Sequence, residues 1–294
     1  MTMFGISTNA LFGQLLLGLI NGAFYAVLSL GLAVIFGLLN IINFTHGAQY
    51  MLGAFCAWLM LQYVGIGYWP ALIIAPLLVG AFGIVLERLF LRHMYRLDHL
   101  YGLLLTFGLA LIIEGLFRQQ YGSSGQPYTI PDALTGGQRL SFMFLPNYRA
   151  WVIVASVVVC FGTWFLIERT RLGAYLRAAT ENPTLVRAFG VNVPRMITLT
   201  YGFGVGLAAL AGVLAAPIYN VSPQMGSSLI IVVFAVVVIG GMGSIMGAIV
   251  TGFGLGVVEG LTKVFFPEAS NTVIFVIMAI VLLVRPAGLF GRRG

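Results

Sequence analysis

Nine stretches of this chain are so apolar and so long that water is a poor solvent for them. They fall at about 11–39, 47–64, 70–91, 100–120, 148–167, 197–215, 228–239, 245–262 and 271–284. A bilayer core is ~30 Å thick, so a crossing helix needs about 20 apolar residues and must pair its backbone groups internally. A chain that is 60 % hydrophobic and only 8 % charged meets both conditions. The expected fold is all-α: a polytopic integral membrane bundle of roughly 8–10 transmembrane segments with broken or re-entrant helices. Residues 1–294 read as a single transmembrane domain. The run at 228–239 is short for a full crossing and reads as a half-helix, whereas 11–39 is long enough to tilt or break.

The loops give an orientation. Arg88, Arg92 and Arg96 follow the third run, and Arg169, Arg171, Arg177, Arg187 and Arg195 follow the fifth. Arg285, Arg292 and Arg293 follow the last. Placing all three groups in the cytoplasm puts eleven of the 15 basic residues on one side, leaving Arg118, Arg139, Arg149 and Lys263 opposite. The positive-inside rule then sets the C-terminus in the cytoplasm and, with an odd number of crossings, the N-terminus outside. The net charge of +7 is explained by this bias. Its residues are parted by apolar spans and form no stripe for nucleic acid. MTMFGISTNA has no basic region ahead of its apolar run, so no cleaved signal peptide is expected. Cys56 and Cys160 each lie within an apolar run and are expected as free, packed thiols.

On this topology residues 121–147 form one long extracytoplasmic loop. Gly122, Gly125, Pro127, Pro131, Gly136 and Gly137 predict turns and short extended pieces, and the loop either contacts a soluble partner or simply tethers. Two interruptions resemble each other weakly: Phe36 to Phe55 and Val238 to Gly256, with Gly47-Ala48 and Gly247-Ala248 at matching points. Repeats with broken helices at corresponding positions are a habit of transporters.

The chemistry is defined largely by what the sequence lacks. It carries no GxxxxGK[ST] phosphate loop, no HExxH, no paired CxxC and no GxSxG, so no cofactor, metal or nucleophile is expected. Glu114 precedes Arg118, and Glu259 precedes Lys263, by four residues, the favoured helical ion pairing. Glu87 lies beside Arg88 at the end of its span and is also expected as a paired interfacial charge. No acid falls mid-membrane, where an ion-coupled carrier would need one. Gln14, Gly18, Asn21, Gly22, Tyr25 and Ser29 share one stripe of the first span. Gly252, Gly256 and Gly260 repeat at stride four, as Gly202 and Gly206 do once, and such small residues predict close helix crossings. Asn40, Asn43 and His46 surround the first interruption. There they satisfy irregular backbone, or His46 serves as a hinge or gate.

The segment 168–196 is polar, basic and helix-patterned. Gly173 to Thr180 predicts one short helix. Asn182 is a good N-cap, Pro183 suits the first helical position, and Gly190 suits the left-handed residue that ends a helix. A second short helix is therefore expected over Pro183 to Phe189. Such a pair either docks a cytoplasmic partner or lies on anionic lipid.

At these residues the chain resembles a known family. RAATENPTLVRAFGVNVPRMI resembles the coupling-loop signature of bacterial ATP-binding-cassette import permeases of the branched-chain amino acid and ribose-type group. LNIINFTHGAQYMLGAF, GGMGSIMGAIVTG and VLLVRPAGLFG resemble that group's early, late glycine-rich and C-terminal segments, in the same order. The nearest type is the shorter permease subunit of the high-affinity branched-chain amino acid system. The resemblance implies a multi-pass subunit of the bacterial inner membrane. Its implied partners are a second permease subunit, two ATPase subunits and a periplasmic solute-binding protein. It places Ala178, Ala179, Glu181, Asn182, Pro183 and Gly190 where the ATPase is engaged. On the solute pathway it places Asn43, His46, Gly47, Gly240, Gly241 and Gly243, to which the first-span stripe adds Gln14 and Asn21. The implied substrates are branched-chain amino acids or related small solutes, with urea, amides and aromatic acids as alternatives within the family. An ion-coupled carrier and a non-transport scaffold are the rival classes.

Overall fold

The structure, a computed structural model, describes residues 2–3, 6–39, 43–95 and 97–291. Asn40, Arg96, Arg292 and Arg293 lie outside the described residues. Each apolar run folds as a helix. The first is α1 (Thr8–Leu39), followed by α2 (Thr45–Leu59), which continues through a π-helical turn at Met60–Val64. Next come α3 (Tyr68–Leu86), a second π turn at Glu87–Leu91, the short α4 (Arg92–Met94) and α5 (His99–Tyr121). Then follow α6 (Asn147–Arg169), α7 (Arg171–Glu181), α8 (Pro183–Ala188) and α9 (Val193–Ala215). The chain ends with α10 (Met225–Gly240), α11 (Ile245–Phe265) and α12 (Val273–Val284). Two small antiparallel hairpins, β1 (Thr2–Met3) with β2 (Ile6–Ser7) and β3 (Gly137–Arg139) with β4 (Phe144–Pro146), are the only sheets among the described residues.

Six helices are long and apolar enough to cross a membrane: α1, α3 with its extension, α5, α6, α9 and α11. The α2 helix reaches similar length only through its π turn. At 16 residues α10 is ~24 Å long, less than the bilayer core.

Burial is uneven for a physical reason. Lipid tails are as apolar as leucine, so helices in a membrane associate through close contact of small residues. On α1, Gly18 and Gly22 face Gly252, Gly256 and Gly260 of α11. A β-carbon on Gly18 would lie 2.5 Å from the Gly256 carbonyl oxygen, and one on Gly22 would lie 2.9 Å from that of Phe253. The two backbones therefore touch, and α1 is 83 % buried over its most apolar window. In contrast α5 and α6 turn most of their surface outward, and Gly115 of α5 meets no other element.

The acids divide. Glu114 pairs with Arg118 at 2.6 Å and Glu259 with Lys263 at 2.5 Å, both at i,i+4. Glu87 does not pair with its neighbour. It is buried, accepting hydrogen bonds from Tyr95 Oη at 2.7 Å and Thr198 Oγ1 at 2.8 Å, while Arg88 points to the surface. Successive residues of a helix do not face each other, so the two side chains point apart.

The loop 121–147 is anchored. Gln126 and Val221 form a two-way backbone bridge at 2.8 and 2.9 Å, and β3–β4 closes the rest of it. Tyr128 is buried within the loop, and burial pushes its phenol up to about 12.

Candidate functional site

A cavity of about 290 Å³ opens between α1, α2, the 216–224 connection and the first turn of α10. Asn21, Asn220, Ser222 and Ser228 give it polar walls, and Phe24, Met225 and Leu229 give it apolar ones. Three tyrosines, Tyr25, Tyr50 and Tyr219, complete the lining, and among the described residues no charged side chain lines it. The polar wall is held from behind. Glu259 accepts hydrogen bonds from Tyr25 Oη at 2.7 Å and from Asn21 Nδ2 at 3.5 Å, while Lys263 balances its charge. Tyr219 donates to Asn21 Oδ1 at 3.3 Å, so the amide of Asn21 is oriented from both sides.

The helix α10 starts inside the bundle. Its Gly226 packs on Gly47, and a β-carbon on Gly47 would lie 2.7 Å from the Gly226 carbonyl oxygen. Next to Gly47, His46 Nε2 contacts the Leu28 carbonyl at 3.0 Å, well within α1. His46 Nδ1 and Gln49 Oε1 find no hydrogen-bonding partner among the described residues. Asn43 caps α2 by accepting from the Thr45 backbone N–H at 3.1 Å. Its Nδ2 donates to Tyr201 Oη at 3.1 Å, as Gln49 Nε2 does.

The other end of α10 is an elbow. Gly240 packs on Gly247 of α11, Gly241 and Gly243 take positive φ of 102° and 82°, and Ser244 caps α11. Leu289 N and Phe290 N donate to the carbonyls of Ile239 and Gly240 at 2.8 and 3.0 Å. The tail thus satisfies the carbonyl groups that the end of a helix leaves unpaired.

Of the pathway candidates, only Asn21 lines the cavity. Asn43, His46 and Gly47 are buried at the start of α2, and Gly240, Gly241 and Gly243 build the elbow at the far end of α10. Gln14 is half-buried on α1, its backbone against Gly260. Tyr219, Asn220, Ser222 and Ser228 escaped the sequence reading. For the first three the signal was PIYNVSPQ, a polar stretch caught between two apolar runs, whereas Ser228 opens the apolar run 228–239.

The segment 168–196 folds into a helical hairpin, α7 and α8. Asn182 Oδ1 accepts from Leu185 N at 2.9 Å, Pro183 opens α8, and Gly190 takes a φ of 83° beyond its end. The first helix runs Arg171–Glu181, longer than expected at both ends, and the second stops at Ala188, one residue short. Ala179 is buried, whereas Ala178, Glu181, Asn182, Pro183 and Gly190 are exposed. Phe189 is 80 % exposed and Leu185 54 %, an apolar tip on a basic hairpin. Arg177 ties α7 to the end of α6, donating to the Ile167 carbonyl at 2.8 Å. A cleft of about 80 Å³ beneath α7 is shared with Val34 and Gly37 of α1 and with Gly243 of the elbow.

A polytopic helical bundle with a polar cavity, a short helix that begins inside it and a helical hairpin outside it fits a membrane transport protein. Residues 14–282 match the family described as branched-chain amino acid transport system, permease component, and the chain belongs to that family. Among its relatives, the high-affinity branched-chain amino acid transport system permease protein BraD of Pseudomonas aeruginosa is 31 % identical, over 95 % of each chain. LivH of Escherichia coli K12, of the same description, is 28 % identical over 95 % of each. LivM of that organism is 29 % identical over 90 % of this chain and 67 % of its own. No solved structure matches. The protein is a multi-pass transport subunit and not itself an enzyme.

Proposed function

We propose that this chain is half of the translocation pathway of an ATP-binding-cassette importer for branched-chain amino acids or related small solutes. The observation that carries the reading is the α7–α8 hairpin. Its second helix is capped at both ends and carries an exposed apolar tip, and its first shares a cleft with α1 and with the elbow between α10 and α11. Two ATPase subunits engage it through Ala178, Glu181, Asn182, Pro183 and Gly190, with Ala179 fixing it from beneath. Closure of the ATPases pushes α7 against Val34, Gly37 and Gly243, and so moves both ends of α10. Gly47, Gly240, Gly241 and Gly243 are the hinge points of that motion, Asn43 and His46 hold its inner frame, and Gln14 and Asn21 lie along the pathway.

The basic bias supports a single permease domain over 1–294 in the bacterial inner membrane. Its N-terminus is extracytoplasmic, its C-terminus is cytoplasmic, 168–196 is the cytoplasmic coupling segment and 121–147 is the extracytoplasmic loop. LivH and LivM share a system name, and both are similar to this chain. That supports a paralogue as second permease, with a periplasmic solute-binding protein delivering the solute. The test is uptake into proteoliposomes holding the reconstituted assembly. Accumulation should need ATP and survive collapse of ion gradients. Loss on collapse would make this an ion-coupled carrier, and an ATPase rate indifferent to solute would make it a scaffold.

A further inference from the structure

We infer that the cavity between α1, α2, the 216–224 connection and the first turn of α10 holds the solute during transport. We infer further that it accepts a small molecule of no net charge with one apolar end. The inference rests on the permease reading and adds a place and a chemistry to it.

The first argument is charge. Among the described residues no Asp, Glu, Lys, Arg or His lines the cavity; Glu259, behind its wall, is balanced by Lys263, and Arg149 acts electrostatically on Tyr219 at the rim. A net ion inside the cavity would have no counter-charge in direct contact. A zwitterion carries its own compensation and needs only dipoles. The second argument is the distribution of those dipoles. Asn220, Ser222 and Ser228 sit by the first turn of α10, whose leading N–H groups lack intrahelical acceptors and which carries the positive end of the helix dipole. A carboxylate or carbonyl end belongs at that turn, and Phe24, Met225 and Leu229 form the apolar wall for the other end.

The third argument is exposure. Asn220, Ser227 and Ser228 are exposed beside a helix that begins inside the bundle. The two serine hydroxyls donate to the Gln224 and Met225 carbonyls of their own helix. It is the Asn220 amide that hydrocarbon could not satisfy, so water, solute or protein must reach it. The lining is also prepared before anything arrives. Glu259 and Tyr219 fix the Asn21 amide from opposite sides, which lowers the ordering cost of binding. Tyr219, at 43 % exposure, stands at the rim.

The experiment uses the complete reconstituted assembly, leucine as the probe, and Cys56→Ala with Cys160→Ala as background. Leu229→Trp fills the cavity and should lower leucine uptake at least about tenfold, the scale of pocket-size effects on transported or reacting groups. Leu283→Trp adds comparable bulk on the exposed face of α12 and should leave uptake within about twofold, since surface changes are small. Ser228→Cys should be labelled by an impermeant maleimide, and leucine at several times half-saturation should slow that labelling about fivefold by mass action. The keto acid of leucine, a net anion of the same shape, should give no protection. Normal uptake by Leu229→Trp, or labelling of Ser228→Cys indifferent to leucine, overturns the cavity while leaving a working permease. Protection by the keto acid overturns the charge argument. A wild-type assembly that accumulates no leucine under ATP brings down the permease reading itself.

Discussion

Gln126 and Val221 exchange both of their backbone hydrogen bonds, at 2.8 and 2.9 Å, and so clasp the long loop to the connection that rims the cavity. Val221 lies between Asn220 and Ser222, both of which line that cavity. Whatever moves the loop moves the rim. A mutually hydrogen-bonded antiparallel pair has Cα atoms about 5.5 Å apart, within disulfide range. With Cys56 and Cys160 replaced, Gln126→Cys with Val221→Cys should therefore cross-link on oxidation. If the clasp opens during each cycle, oxidised transporter should lose most of its uptake and a reductant should restore it. Full uptake in the cross-linked form would show that rim and loop move as one body.

Single cysteines at Ser124 and Thr184, both exposed, test the orientation. In the cysteine-free background an impermeant reagent should label the first from outside the cell and the second only in inverted vesicles. Labelling of Thr184→Cys from outside the cell would remove the coupling role of α7 and α8, since no ATPase could reach them, and labelling of Ser124→Cys only in inverted vesicles would overturn the placement of the loop.

The hairpin separates two costs. Asn182→Ala removes the cap of α8 and should cost about 0.5–2 kcal/mol of local stability, with partial loss of transport. Gly190→Val should be worse, because a β-branched residue resists the φ of 83° found there. Neither change touches the apolar helices, so both variants should insert and extract normally. Co-purification with the ATPases and solute-stimulated hydrolysis are the quantities to follow, and wild-type values for Gly190→Val would leave α8 as a lipid-facing element.

The seam between α1 and α11 predicts a contrast between two glycine-to-alanine changes. Gly18→Ala places a methyl group 2.5 Å from the Gly256 oxygen and should destabilise by about 1–3 kcal/mol. Gly115→Ala on α5 meets nothing and should be neutral or stabilise by up to about 1 kcal/mol through helix propensity. Thermal unfolding of the two variants in one detergent compares them directly. Equal midpoints would mean that the seam relaxes freely.

Sequence legibility followed the range of the interactions. Apolar length marks helices, and Asn182, Pro183 and Gly190 mark a local start and stop, so both could be read residue by residue. Glu259 with Lys263 and Glu114 with Arg118 lie one helical turn apart and were equally visible. What stayed hidden depends on partners distant in sequence. The burial of Glu87 needs Thr198 of α9, which lies 111 residues away in the sequence. Asn43 and His46 are conspicuous polar residues at an interruption, yet Tyr201 and Leu28 occupy them. The cavity draws on α1, α2 and α10, and only its α1 wall was legible in advance, through the stripe that carries Asn21 and Tyr25.

The tail that binds the end of α10 carries a consequence for biogenesis. The carbonyls of Ile239 and Gly240 find their donors on Leu289 and Phe290, which a ribosome makes only after α11 and α12. Until then the carbonyls at the end of α10 lack these donors. The elbow, at the edge of the cleft beneath α7, is therefore completed only when residues 289 and 290 have been made and folded back onto it.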